Sequence, residues 1–341
     1  MLDDRLSIMK NWKSLLRNDP TDWLLESDNP SVRYFTLTDI LEKLENDFEV
    51  IDAKKSIMGT GTVPKILEKQ KEEGYWINPK DFYIRTKYKG TVWTFLVLAE
   101  LGADKTDDRI RKTCKFILEH SQDKKSGGFA YYSKKDGGGD PAKILPCLTG
   151  NMVWCLIRFG YLEDPRVQQG IKWITTYQRF DDGIKNAPKG WPYDKFEKCY
   201  GKHTCHMGVV KSLKALAEIP PKKRSAEIKR TIEKAAEFIL KHHIFKRSQD
   251  LTQVAMPKWL KFGFPLMWNT DILEILSILT KLGYKDERMQ ESLDVVIAKQ
   301  NEEGKWVLEQ KFSGRMQANI ERKGKPSKWI TLNALRVLKG N

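Results

Sequence analysis

Gln70-Lys-Glu-Glu-Gly74-Tyr-Trp76 and Gln300-Asn-Glu-Glu-Gly304-Lys-Trp306 are two copies of one phrase, Q-x-x-x-G-x-W, in a chain of 341 residues. A looser copy runs from Gln122 through Gly127 and Gly128 to Phe129, and a stretched one from Gln178 through Gly183 to Trp191. The starts lie about 52, 56 and 122 residues apart, which places a degraded copy between the last two, near His242 to Asp250. A repeat of this period is the mark of a stacked supersecondary unit.

Each copy closes a charged segment with helical periodicity: Pro64 to Gln70, Asp107 to Gln122, Asp164 to Gln178, Arg224 to His242 and Asp286 to Gln300. The Gly lets the chain turn at the helix end, the aromatic ring is buried beside it, and the Gln reaches open backbone groups. The phrase therefore predicts a staple between neighbouring units. Between the copies runs a more apolar set: Ser31 to Leu41, Thr91 to Leu101, Leu148 to Phe159, Met207 to Ile219, Trp268 to Leu282 and Ser327 to Leu338. Helices apolar on most faces are buried, so these are expected inside and the charged set outside. Six such pairs predict an all-α fold closed on itself, an α/α toroid over 30–341 preceded by a helical extension over 1–29 that carries Trp12 and Trp23.

With these phrases the chain resembles, over residues 30 to 340, the squalene-cyclase and protein-prenyltransferase superfamily of α/α toroids. The resemblance implies a central cavity. It does not name a reaction, because that barrel serves cyclases, prenyl transferases, lanthionine cyclases and non-enzymatic domains. The D-x-D-D acid of protonation-type cyclases is absent, and Asp107-Asp108 lacks the third carboxylate of an ionisation-type motif. Asp271, near an inner-helix start, is the better cavity carboxylate and a candidate catalytic group.

The composition excludes other classes. No apolar run of about 18 residues is present, and nothing apolar follows Met1-Leu2-Asp3-Asp4, so a cytoplasmic protein is expected. Five cysteines suit free thiols or metal ligands better than a disulfide framework. Sixty Lys and Arg against 45 Asp and Glu leave a net charge of +15. Basic and aromatic residues cluster together ahead of the inner helices: Arg33 and Tyr34; Arg85, Lys87, Tyr88 and Lys89, followed by Trp93; Lys258 to Phe262, followed by Trp268; and Lys323 to Lys328, followed by Trp329. Gathered at one rim, they would attract an anionic substrate, an isoprenoid diphosphate on the family resemblance, or alternatively the backbone of a nucleic acid.

Cys199-Tyr-Gly-Lys-His203-Thr-Cys205-His206 offers four donors of the kinds zinc prefers within eight residues. Cys147 holds the equivalent place in the preceding repeat and should approach Cys205 and His206. The segment also resembles the zinc site of lanthionine cyclases, with Lys198 where that family has Trp and Met207 where it has Gly. Cys147, Cys205 and His206 are the expected ligands, with Cys199 or His203 as the fourth. His203 could instead serve as a general acid or base beside the metal. Simple burial of small thiols is the competing reading. Cys114 and Cys155 fit packing positions.

Overall fold

The computed structural model describes residues 12–83, 87–182, 188–201, 203–311 and 316–341. Gly183 of the stretched phrase and Arg85 of the basic rim lie outside them. The chain runs as alternating helices. In order they are α1 (Pro30–Phe35, continued as a π turn over Thr36–Ile40), α2 (Phe48–Gly59), α3 (Thr62–Leu67), α4 (Thr91–Glu100), α5 (Asp108–His120) and α6 (Pro146–Arg158). They continue with α7 (Pro165–Tyr177), α8 (His206–Glu218), α9 (Ala226–Lys241), α10 (Ile272–Lys281), α11 (Gln290–Ala298) and α12 (Lys328–Gly340). A hairpin of β1 (Lys246–Arg247) and β2 (Asp250–Val254) follows α9.

Helix starts are written in the sequence. Asp47, Asp107, Asp164, Ser225, Asp271 and Ser327 each accept a backbone N–H two or three residues ahead, a contact that stabilises a helix by about 1 kcal/mol. The apolar set is inside: every residue of α4 from Thr91 to Ala99 and of α6 from Pro146 to Ile157 is buried. Inner helices pack in succession, α4 on α6, α6 on α8, α8 on α10, α10 on α12 and α12 on α1, each with its outer partner behind it. Gly150 permits the tightest of these approaches, since a Cβ there would stand 2.4 Å from the backbone of Lys211. One boundary differs from the periodicity: residues 268–271, expected to be helical, form the turn that precedes α10.

The repeated phrase is a staple, and it reaches forward to the next unit. Gln70 donates to the carbonyl of Arg109 and the hydroxyl of Thr113 on α5, and Gln122 donates to the carbonyl of Arg166 on α7. Trp76 and Trp306 each turn the indole N–H back onto the preceding outer segment, at Ile66 and Val296, while their backbone N–H groups bond Thr91 and Thr331 of the following inner helix. Gly74 and Gly304 have φ of 90° and 69°, and a Cβ at Gly304 would lie 1.9 Å from the carbonyl oxygen of Asn18. In the last copy the partner is the N-terminal segment: Gln300 donates to Leu15 and accepts from the N–H of Arg17. With Trp12 buried, residues 12–24 brace the last unit from outside.

Candidate active site

All six inner helices contribute to one cavity of about 490 Å³. Its inner end is made by Gly263, Phe264, Leu266 and Asp271, ahead of α10. Its outer end is formed where the inner helices finish, at Glu100, Arg158, Glu218, Lys281 and Gly340. Lys281 is about half exposed, whereas Asp271 is 1% exposed, so α10 runs the depth of the cavity from a dry carboxyl to a wet mouth. Ten residues at 1.5 Å per residue make that depth roughly 15 Å.

Asp271 caps α10. One carboxyl oxygen accepts the N–H of Glu274 at 2.9 Å and the other that of Gly263 at 2.9 Å. Burial nevertheless outweighs these two N–H groups and pushes its pKa up to about 7. The result is a carboxyl that holds a proton at near-neutral pH at the inner end of the cavity. Beside it lies an ion network on faces that are otherwise apolar. Lys211, 1% exposed, donates to both oxygens of Glu274 at 2.7 Å, and Lys214 bridges Glu274 to Glu100. Burial holds Lys211 below its usual pKa, while the two lysines overcome burial at Glu274 and keep its carboxylate ionised. At the mouth, Glu218 bridges Arg158 and Lys281, and Arg336 pairs with Asp39. Lys214 sits 4.1 Å from the Trp154 ring centroid and Arg336 4.9 Å from that of Phe35.

Of the site residues expected from the sequence, Asp271 lines this cavity, which opens at the end opposite the basic segments. Those segments sit at the other end, and several of their charges are already engaged. Lys328 is buried and paired with Glu26 and Asp28, and Trp329 stacks on Phe264 at 4.3 Å. Lys87 lies 5.9 Å from the ring of Tyr88 and 6.0 Å from that of Trp268, and Trp93 packs on Tyr83 at 4.6 Å. Arg33 and Tyr34 are half-buried and Lys89 is exposed. Lys211, Lys214, Glu274, Glu100 and Arg336 were not anticipated. The signal was present: an ionisable residue set in an apolar inner helix, as in Val209-Val-Lys211-Ser and Ile272-Leu-Glu274-Ile, has no reason to be there for packing.

Three cysteines do gather at the N-terminal ends of α6 and α8. The thiol of Cys199 hydrogen-bonds to Cys205, which lowers Cys205 to about 7 against the effect of burial, with the N–H groups of Gly208 and Met207 acting in the same sense. Cys199 is raised correspondingly, and burial pushes Cys147 up to about 12, with Cys205 adding to the effect. His206 does not join them. Its ring stacks on Trp259 at 4.3 Å and meets Phe238 and His242 edgewise or tilted, and its Nε2 is buried without a partner. His203 is exposed. Consecutive residues at a helix start diverge, and Cys205 and His206 follow that rule. Among the described residues no group of three or more His, Cys, Asp or Glu is arranged to hold a metal ion. The donor set expected for zinc therefore does not fit the arrangement found, and no chemical step is routed through a metal.

No family model matches this chain, and no curated protein matches it. Among solved structures it is similar to a variant of the type II terpene cyclase MstE from Scytonema in complex with geranylgeranyl dihydroxybenzoate, with 15% identity, a TM-score of 0.41, and coverage of 92% of this chain and 87% of that one. The apo MstE structure shares 13% identity at a TM-score of 0.29, covering 81% of this chain and 95% of that one. A protein from Actinoplanes shares 12% at 0.29, covering 84% and 99%. No described helix is long and apolar enough to cross a membrane.

Proposed function

We propose that the inner helices close into an α/α toroid and that the chain is an acid-catalysed cyclase whose proton donor is Asp271. The observation that carries this reading is a carboxyl at the wall of the central cavity, buried to 1% exposure and raised to about 7. A general acid works best when its pKa lies near the working pH, and a dry pocket keeps the proton for substrate. Among the activities of the superfamily that the Q-x-x-x-G-x-W phrases resemble, acid-initiated cyclisation is the one that a buried protonated carboxyl would serve. The cavity suits a linear isoprenoid with a polar head. Its chain would lie along Phe264, Leu266 and Leu273 toward Asp271, and its head would meet Arg158, Lys281 and Arg336 at the mouth. Protonation of a double bond by Asp271, ring closure, loss of a proton from a neighbouring carbon to water on the side of the mouth, and return of a proton from water to the Asp271 carboxylate after product leaves would give an isomer of the substrate.

The test is incubation with linear prenyl alcohols, carboxylates and diphosphates, reading out cyclic isomers by chromatography and NMR. Conversion by the wild type that falls at least about a hundredfold in Asp271→Asn, in line with loss of a general acid, is the expected result. Undiminished turnover in that variant, or no conversion of any of these polyenes by the wild type, would sink the proposal.

A further inference from the structure

Two carboxyls with little access to water share the first turn of α10, and their surroundings differ. Glu274 is clamped by Lys211, which donates to both of its oxygens at 2.7 Å, and by Lys214 at 3.1 Å. Asp271 has a backbone N–H on each oxygen, from Glu274 and from Gly263, and among the described residues no ion pair involves it. The other charges on the elements around it are engaged: Glu100 of α4 with Lys214, Arg158 of α6 and Lys281 of α10 with Glu218, and Arg336 of α12 with Asp39. Lys328 pairs with Glu26 and Asp28, Lys299 with Glu309, and Glu321 accepts the hydroxyl of Ser327. Lys211 is also fixed through its main chain, which lies against Gly150 of α6 where a Cβ would stand 2.4 Å away. Neighbouring carboxylates in a dry wall cannot both ionise at little cost, and the one with ammonium partners keeps its charge. The proton therefore falls to the other.

From these two carboxyls in one helical turn, one clamped by two ammonium groups and the other held by backbone N–H groups alone, we propose that Glu274, fixed by Lys211, is the positioning residue that keeps the proton on Asp271.

This role rests on the reading of Asp271 as proton donor. The two ends of the Lys211–Glu274 pair act on Asp271 with opposite sign. Neutralising Glu274 removes the neighbouring anion and leaves Lys211 without a carboxylate, so Asp271 gives its proton to solvent and takes over as the partner. Removing the Lys211 charge takes away a cation, while Lys214 still holds Glu274 ionised, so Asp271 keeps its proton to higher pH. The directions of the two electrostatic effects on Asp271, upward from Glu274 and downward from Lys211, agree with this, on top of the larger upward effect of burial. Loss of a salt bridge or of packing as such would move both variants the same way.

The experiment labels the full-length protein at the aspartate side-chain carboxyl carbon, identifies the Asp271 signal by its loss in Asp271→Asn, and follows its titration by NMR. In Glu274→Gln the midpoint should fall by at least about one pH unit, and in Lys211→Met it should rise by about half a unit or more. Shifts of the same sign in the two variants, or an unmoved midpoint in Glu274→Gln, would overturn the assignment. Should Glu274→Gln fail to fold, Lys211→Met combined with Glu274→Leu carries the test: the midpoint should fall, because the anion in the same turn is the stronger of the two influences, and a midpoint that stays or rises overturns the role. Turnover separates this inference from the reading beneath it. Conversion of a polyene with unmoved midpoints would strike the role of Glu274 and keep that of Asp271, whereas the expected shifts without any conversion would strike the cyclase and uphold the charge assignment.

Discussion

Asp271 is buried and His206 is half-buried with its Nε2 sealed from solvent, and desolvation drives their protonation in opposite directions. Asp271 is raised from 3.8 to about 7, so between those values the folded chain binds more protons than the unfolded one, and stability falls as pH rises. The full effect is at most about 4 kcal/mol at 1.36 kcal/mol per pKa unit. His206 is lowered from 6.5 to about 3 by burial and by the neighbouring His242, so stability is lost as pH falls through that window. Across the overlap, from about pH 4 to 6.5, the two slopes oppose each other. Relative to wild type, Asp271→Asn should gain stability as pH rises through this range, and His206→Phe should gain as pH falls. Denaturant midpoints at several pH values measure both, and parallel profiles would refute the linkage. The sequence pointed to Asp271 because it precedes an apolar segment, but its burial depends on Gly263 and Phe264 folding over it, which no local pattern encodes. His206 was misread for a related reason: its neighbour Cys205 suggested a ligand pair, while the ring's actual surroundings, Phe238 and Trp259, come from more than 30 residues away.

At the scale of the element, the phrase that decided the fold can be taken apart. Its Gly combines a left-handed backbone with contact against the next unit, and the two costs can be separated. Gly137 has φ of 92° and open space, with nothing within 4 Å of where a Cβ would stand, whereas a Cβ at Gly304 would strike Asn18. Gly137→Ala should cost about 1 kcal/mol, the strain of positive φ alone, and Gly304→Ala about 3 kcal/mol or more, since backbone must move. Thermal melts of the two variants compare them; equal losses would mean that the Asn18 contact yields freely. Gln122→Ala should cost about 1–3 kcal/mol by leaving the carbonyl oxygens of Gly127 and Arg166 without this donor. The intact copies were legible because each of their three marked residues has a separate physical task. The degraded copy was not: there His242 bonds Lys246 across a short turn, and a β-hairpin occupies the place of the phrase.

For the whole molecule, the sequence disclosed alternating inner and outer helices but not which end of the inner set encloses a cavity. Net charge was a poor guide, since Lys328 at the basic end is neutralised locally and the cavity wall carries acids and bases in near balance. The wall network can be tested as a unit. Glu274→Gln removes the shared partner of two buried lysines and should destabilise the protein by about 3–5 kcal/mol, whereas Lys211→Met paired with Glu274→Leu should recover most of that loss. Chemical denaturation of the single and double variants reads the difference, and a double variant as weak as Glu274→Gln would mean that packing rather than charge is at issue. The clasp between Gln300 and Leu15 has another consequence, for the order of assembly. Its partners are 285 residues apart, so during synthesis the segment made first must wait, its carbonyl groups served by water, until the whole intervening stretch has emerged. Loop closure over that span costs little more than over a shorter one, but it comes late and is slow to find. The two sides of this clasp are therefore the last places to become native and the first to open, and hydrogen exchange should be fastest to appear at residues 12–24 and around Gln300, just after α11.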